Sequence, residues 1–158
     1  MVNDDLDRPY AGGFIGQAHH FAVRVYFEDT DLTGVVYHAN YLRYMERARS
    51  DMLRSAGIDQ RAAHESGVGA YAISELAIRY RRPARLDDAL RIVSLVLRVG
   101  AASCVIHQTV MRGDEDLAEA EVTAAFLSPE GRPRRQPRDW IMIFERLTER
   151  PTGSDTTA

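Results

Sequence analysis

From Leu76 onward the chain leaves no room for helices between its strands. Leu76, Ile78 and Tyr80 alternate with Glu75 and Arg79. Leu90 to Val99 is nearly all apolar, as expected of a strand covered on both faces, and Cys104 to Met111 is rich in β-branched residues. In Leu117 to Leu127, Ala118, Ala120, Val122, Ala124 and Phe126 fall on one face and Glu119, Glu121 and Thr123 on the other. The connections are short: Pro83 to Asp88, the residues around Gly100, and Gly113 to Glu115. Such linkers join antiparallel neighbours, because a parallel crossover needs about a dozen residues or more.

An antiparallel sheet must cover its apolar face, and one long helix is available to do so. Asn40 to Ala56 carries Tyr41, Met45, Ala48, Met52 and Ala56 at steps of three and four, widened by Leu42 and Leu53. Asn40 is the expected N-cap and Gly57 the expected C-terminal stop. Ahead of the helix, Phe21 to Phe27 reads as a strand with Phe21, Val23, Val25 and Phe27 on one face. A short helix is expected over Asp59 to Glu65, and a final one over Pro137 to Leu147 from the spacing of Trp140, Ile143, Phe144 and Leu147. The alanine face of the last strand allows close approach of the long helix. The expected architecture is α+β: one curved antiparallel sheet wrapped around a central helix. The 158 residues suit one domain, spanning 17–149 between a loose N-terminal tail, 1–16, and a loose C-terminal one, 150–158.

Composition removes several functions. The net charge of −3 gives no global attraction to nucleic acid or anionic lipid. All 20 basic residues are arginine, which excludes Schiff-base and phosphate-binding lysines. The single cysteine, Cys104, allows no internal disulfide and is expected in the core of a protein from a reducing, cytoplasmic setting. No apolar run reaches the roughly 18 residues of a membrane span, and no secretory leader is visible.

Reactive side chains concentrate in Glu28-Asp29-Thr30-Asp31, Gly34 and Tyr37-His38-Ala39-Asn40. This segment links a strand to a helix N-terminus, where free N–H groups favour developing negative charge. A carboxylate beside such donors can activate water or attack a carbonyl, the minimum for acyl transfer. Other readings compete. Asp29 and Asp31 can serve as turn and capping residues, and Glu46 can pair along the helix with Arg49 or Arg43. Asp29, Asp31 and Gly34 match three positions of a calcium loop, but Asn40 stands where its glutamate belongs. The Asp29-Thr30-Asp31-Leu32-Thr33 run resembles an aspartyl phosphatase opening, without the alternating helices or lysine of that class. His19, His20, His64 and His107 show no metal-ligand spacing.

The run Val25-Tyr26-Phe27-Glu28-Asp29-Thr30-Asp31, then Gly34 to Leu42, then Glu46-Arg47-Ala48-Arg49, resembles the 4-hydroxybenzoyl-CoA thioesterase branch of the hotdog superfamily, and within it the Tol–Pal-associated acyl-CoA thioesterases. The similarity continues through Tyr80 to Asp88 and Ala118 to Val122. The resemblance implies a hotdog fold, homodimers assembled into tetramers, sites at subunit interfaces, and hydrolysis of acyl-CoA, or of an acyl group on acyl carrier protein, without metal or bound cofactor. It places the catalytic carboxylate on Asp31 and the carbonyl-polarising N–H on His38, whose imidazole is also implicated. Gly34, Val36, Tyr37 and Asn40 are expected to border the substrate, and Glu46 is a reserve acid. Phe27 stands where close relatives often carry tyrosine. Arg81, Arg82, Arg85 and the Arg132 to Arg138 cluster are candidates for the phosphates of CoA. A non-catalytic acyl-binding or scaffold protein and a hotdog dehydratase or hydratase are the rival functions.

Overall fold

The computed structural model describes residues 5–148, so the expected tail over 150–158 lies outside the described residues. The helices are α1 (Asn40–Ser55), α2 (Gln60–Glu65) and α3 (Arg138–Thr148). The strands are β1 (Gly13–Ile15), β2 (Ala18–Arg24), β3 (Ala70–Tyr80), β4 (Ala89–Val99), β5 (Ser103–Arg112) and β6 (Glu115–Leu127). They form one sheet in the order β1-β2-β4-β5-β6-β3, antiparallel throughout. Among the described residues no helix is long and apolar enough to cross a membrane.

The apolar stripe of α1 faces the sheet as its spacing requires. Tyr41, Met45, Ala48 and Met52 are buried, and Tyr44 and Leu53 join them. Opposite them lie Leu90, Ile92, Val110, Ala118, Ala120 and Val122. Each large side chain withdrawn from water here contributes about 1.5–3 kcal/mol. The helix sits closest to β4 and β2 rather than to the alanines of β6, where close approach was expected. A second cluster, around Val96, Ile106, Phe126, Trp140 and Phe144, packs α3 against the far end of the same face. Gly57 takes φ +88 just beyond α1, the left-handed conformation that ends a helix without a Cβ clash.

Four expectations need correction. The strand expected to reach Phe27 ends at Arg24; Phe27 opens a 3₁₀ turn and is 83% exposed, because the Asp29 carboxylate accepts the Tyr26 N–H and folds the chain back. Asn40 does not cap α1. The N-cap is Ala39, and the Asn40 amide donates instead to the Asp29 carbonyl at 2.8 Å. β4 is buried on one face, at Leu90, Ile92, Ser94 and Val96, while Val93, Leu95 and Leu97 are half-buried. The N-terminal tail is shorter than the expected 16 residues, since Gly13–Ile15 pairs with Ala18–His20.

That early strand is held by an acceptor that periodicity cannot reveal. Asp51 lies buried on α1, and its Oδ2 accepts from the Gly12 N–H at 2.9 Å and meets His19 Nε2 at 2.7 Å. A side chain at position 12 would collide with the His20 carbonyl, so the close approach of this strand needs glycine.

Candidate active site

The segment from Val25 to Asn40 is a compact loop pinned at three places. Val25 exchanges backbone hydrogen bonds with Asp87 and Asp88. Val36 donates to the Ala84 carbonyl at 2.8 Å. The carbonyl of Asp29 accepts both the Tyr37 N–H, at 2.9 Å, and the Asn40 amide. Asp29 is therefore buried and committed to loop structure, with its carboxylate on Tyr26 and its carbonyl on the helix entry.

Asp31 is placed differently. Its side chain is exposed, and Oδ1 accepts the Thr33 N–H at 2.8 Å and the Thr33 hydroxyl at 2.6 Å. The turn closes through the Gly34 N–H onto the Asp31 carbonyl, with Gly34 at φ +80. The two Thr33 hydrogen bonds, with smaller help from the Val35 N–H and the His38 ring, hold the Asp31 carboxyl below the ordinary aspartate value. It is thus charged at neutral pH.

His38 stands at the entry to α1, one residue before the N-cap. Its carbonyl accepts the Tyr80 hydroxyl at 2.8 Å, and its ring packs against those of Tyr37 and Tyr80. Among the described residues its own N–H makes no hydrogen bond. It is a free donor at the positive end of a 16-residue helix.

Asp31 and His38 open onto one depression, bordered also by Val36, Tyr41, Tyr80, Arg81 and Arg82. Of the other residues expected at the substrate, Gly34 shapes the turn, the Tyr37 ring lies on the His38 imidazole, and Asn40 is held by Asp29. None of these three lines the depression. Glu46 lies further along α1 in a separate pocket and accepts from Ser50 at 2.9 Å, while Arg49 donates to Gln108 rather than pairing with Glu46. Among the arginines, Arg81 pairs with Glu119 at 2.7 Å and Arg82 with Glu115 at 3.6 Å. Arg134 is spent on the Gly67 and Val68 carbonyls. Cys104 is buried in the core, where desolvation pushes its thiol up to about 12.

Tyr41 and Tyr80 were not singled out for the site by sequence. Tyr41 belongs to the apolar stripe, yet its hydroxyl accepts the Ala84 N–H at 3.0 Å and so ties the floor of the depression to the strand-connecting loop. Tyr80 ends an alternating strand and opens the Tyr80 to Asp88 run of the resemblance, which assigns it no role.

An antiparallel sheet packed around one long helix is the arrangement of the hotdog fold. A solved probable thioesterase from Bartonella henselae shares it, with a TM-score of 0.72 and 38% identity over 76% of this chain and 99% of its own. The family model of the thioesterase superfamily matches residues 33–119, and the chain belongs to that family. Acyl-CoA thioester hydrolase YbgC of Escherichia coli O6:H1 is 38% identical over 125 residues, which is 78% of this chain and 92% of that protein. Acyl-CoA thioesterase YbgC of Haemophilus influenzae is 43% identical over 105 residues, covering 66% of this chain and 77% of that one.

Proposed function

We propose that the protein hydrolyses acyl-CoA thioesters, with Asp31 as general base or nucleophile and the His38 N–H as the donor that polarises the carbonyl. The observation that carries this reading is the pairing, in one open depression, of a charged carboxylate with an unpartnered N–H at a helix start. The thioester oxygen gains charge as the tetrahedral intermediate forms, and the His38 N–H and helix dipole meet that charge. On the other side of the carbonyl, the Asp31 carboxylate takes a proton from water or adds to the carbon itself. A mixed anhydride formed in the second case is opened by water. Both routes release a carboxylic acid and CoA thiol.

Support for the substrate class comes from the two YbgC relatives, whose names state acyl-CoA thioester hydrolysis. Arg81 and Arg82 line the rim and would have to share their charge between Glu119, Glu115 and the phosphates of CoA. The functional unit is a homodimer or an assembly of dimers. Acyl carrier protein is the second thiol carrier to test. The purified chain, given a panel of acyl-CoAs and a thiol reagent, is expected to release thiol. Failure to release it from any acyl group would favour an acyl-binding role instead.

The Asp31 hydrogen bonds predict the pH dependence. A carboxylate with a lowered pKa is active above that pKa and is lost as pH falls through it. The acid limb of kcat/KM should therefore lie below the ordinary aspartate value. Thr33→Val removes the hydroxyl donor and keeps the N–H, so the limb should move upward. An unchanged limb would detach Asp31 from the rate-limiting ionisation.

A further inference from the structure

We propose that Arg112 and Asp88 form a positioning pair for the reaction: together they set the loop from Pro83 to Asp88, on which the Asp31 half of the site hangs. This rests on the thioesterase reading above and adds residues that act on the chemistry without touching the substrate. Neither lines the depression that holds Asp31 and His38.

The two halves of the site have different anchors. His38 directly precedes the N-cap of α1, and its carbonyl takes the Tyr80 hydroxyl at the end of β3. Asp31 hangs instead on Val35, whose carbonyl accepts the Asp31 N–H at 2.9 Å. Val35 forms an isolated antiparallel bridge with Arg85, and Val36 donates to the Ala84 carbonyl. At the start of the same segment, Val25 accepts the Asp87 N–H and donates to the Asp88 carbonyl, each at 3.0 Å. The Pro83 to Asp88 loop therefore holds the Asp31 segment at both ends. A shift of this loop moves the carboxylate relative to the His38 N–H.

One side chain spans the loop. Arg112, the last residue of β5, places Nη1 2.8 Å from Asp88 Oδ2 and 3.2 Å from the Pro83 carbonyl oxygen. The same Asp88 oxygen accepts the Arg85 N–H at 2.8 Å, which curls the loop back on itself. The first and last residues of the loop are thus fixed to one guanidinium, whose Nη2 donates to Glu115 at 3.0 Å. The planar fork of arginine suits such a clamp, whereas a lysine ammonium is a single point of charge. The loop also contains a conformation that needs holding. Asp87 takes φ +69, the only positive φ of a non-glycine residue among the described residues, and such a backbone persists where its surroundings over-determine it. Its N–H goes to Val25, and its carbonyl accepts from Arg24 at 2.9 Å.

The pair itself is not part of the apolar core. The Arg112 and Asp88 side chains are 32% and 24% exposed, so breaking the pair admits water to the loop and leaves the backbone ladder of β5 and β6 in place.

Arg112→Met and Asp88→Ala, singly and together in the full chain, test this. Each single variant should lower kcat for acyl-CoA hydrolysis by about 10- to 10²-fold, the range for a reacting group displaced by about 1 Å. KM should stay within about twofold, since the surface that meets the substrate is unchanged. The double variant should be no slower than the slower single one, because both substitutions open the same clamp. Hydrogen exchange should show the Val36 amide released in the variants while the amides of β5 and β6 keep their protection. An unchanged kcat would overturn the proposal. A rise in KM alone would do the same by putting Arg112 on the substrate, and so would losses that multiply in the double variant. A fall in kcat matched by lost protection throughout the sheet would make the pair a fold contact and overturn its positioning role. A wild type inactive on every thioester would instead sink the functional reading, and this role with it.

Discussion

Asp31→Asn is expected to lower kcat for thioester hydrolysis by about 10²- to 10⁴-fold, the range for loss of a general base. The substitution keeps size and keeps an oxygen to accept from Thr33, so the turn that carries it should persist. The side chain is exposed and touches no core residue, so the thermal midpoint should hardly move. KM should change little if the carboxylate acts mainly in the transition state. Steady-state thiol release, with a melting curve on the same preparation, checks both halves. A loss of activity matched by a loss of folding would remove the chemical interpretation.

The largest effect on stability is expected away from the site. Asp51→Ala should cost about 3 kcal/mol or more, because removing one partner of a buried pair strands the other. Asp51 is 5% exposed and His19 fully buried, and Asp51 Oδ2 also accepts the Gly12 N–H. Truncation therefore leaves the buried His19 donor and the half-buried Gly12 N–H without an acceptor, and His19 Nδ1 already has no partner among the described residues. Urea unfolding should show the drop in midpoint, and hydrogen exchange should show β1 opening first. A change below about 0.5 kcal/mol, the size expected of surface substitutions, would mean that water replaces the carboxylate at little cost.

Much of the fold was legible because its signals are periodic. The stripe on α1 and the alternation of β6 each bury one face, and the Trp140 to Leu147 spacing places α3 correctly. What escaped was set by single polar groups. Asp51 draws Gly12 onto the helix, and Asp29 ends β2 early and claims the Asn40 amide. Nothing in the spacing of apolar residues encodes such a partner. For the site, the sequence located the loop and separated Asp31 from Asp29 through family resemblance. In the structure the Asp29 carboxylate is buried on the Tyr26 N–H, whereas the Asp31 carboxylate is exposed and held by Thr33. Tyr80 reaches His38 only through the sheet, 42 positions away in the chain.

The most direct measurement is a crystal structure with a non-hydrolysable acyl-CoA analogue bound, its thioester sulfur replaced by methylene. The carbonyl oxygen should lie about 3 Å from the His38 nitrogen, with the Asp31 carboxylate facing the carbonyl carbon from the opposite side. A carbonyl bound instead against Glu46, with Asp31 and the His38 N–H both left to solvent, would contradict the assignment.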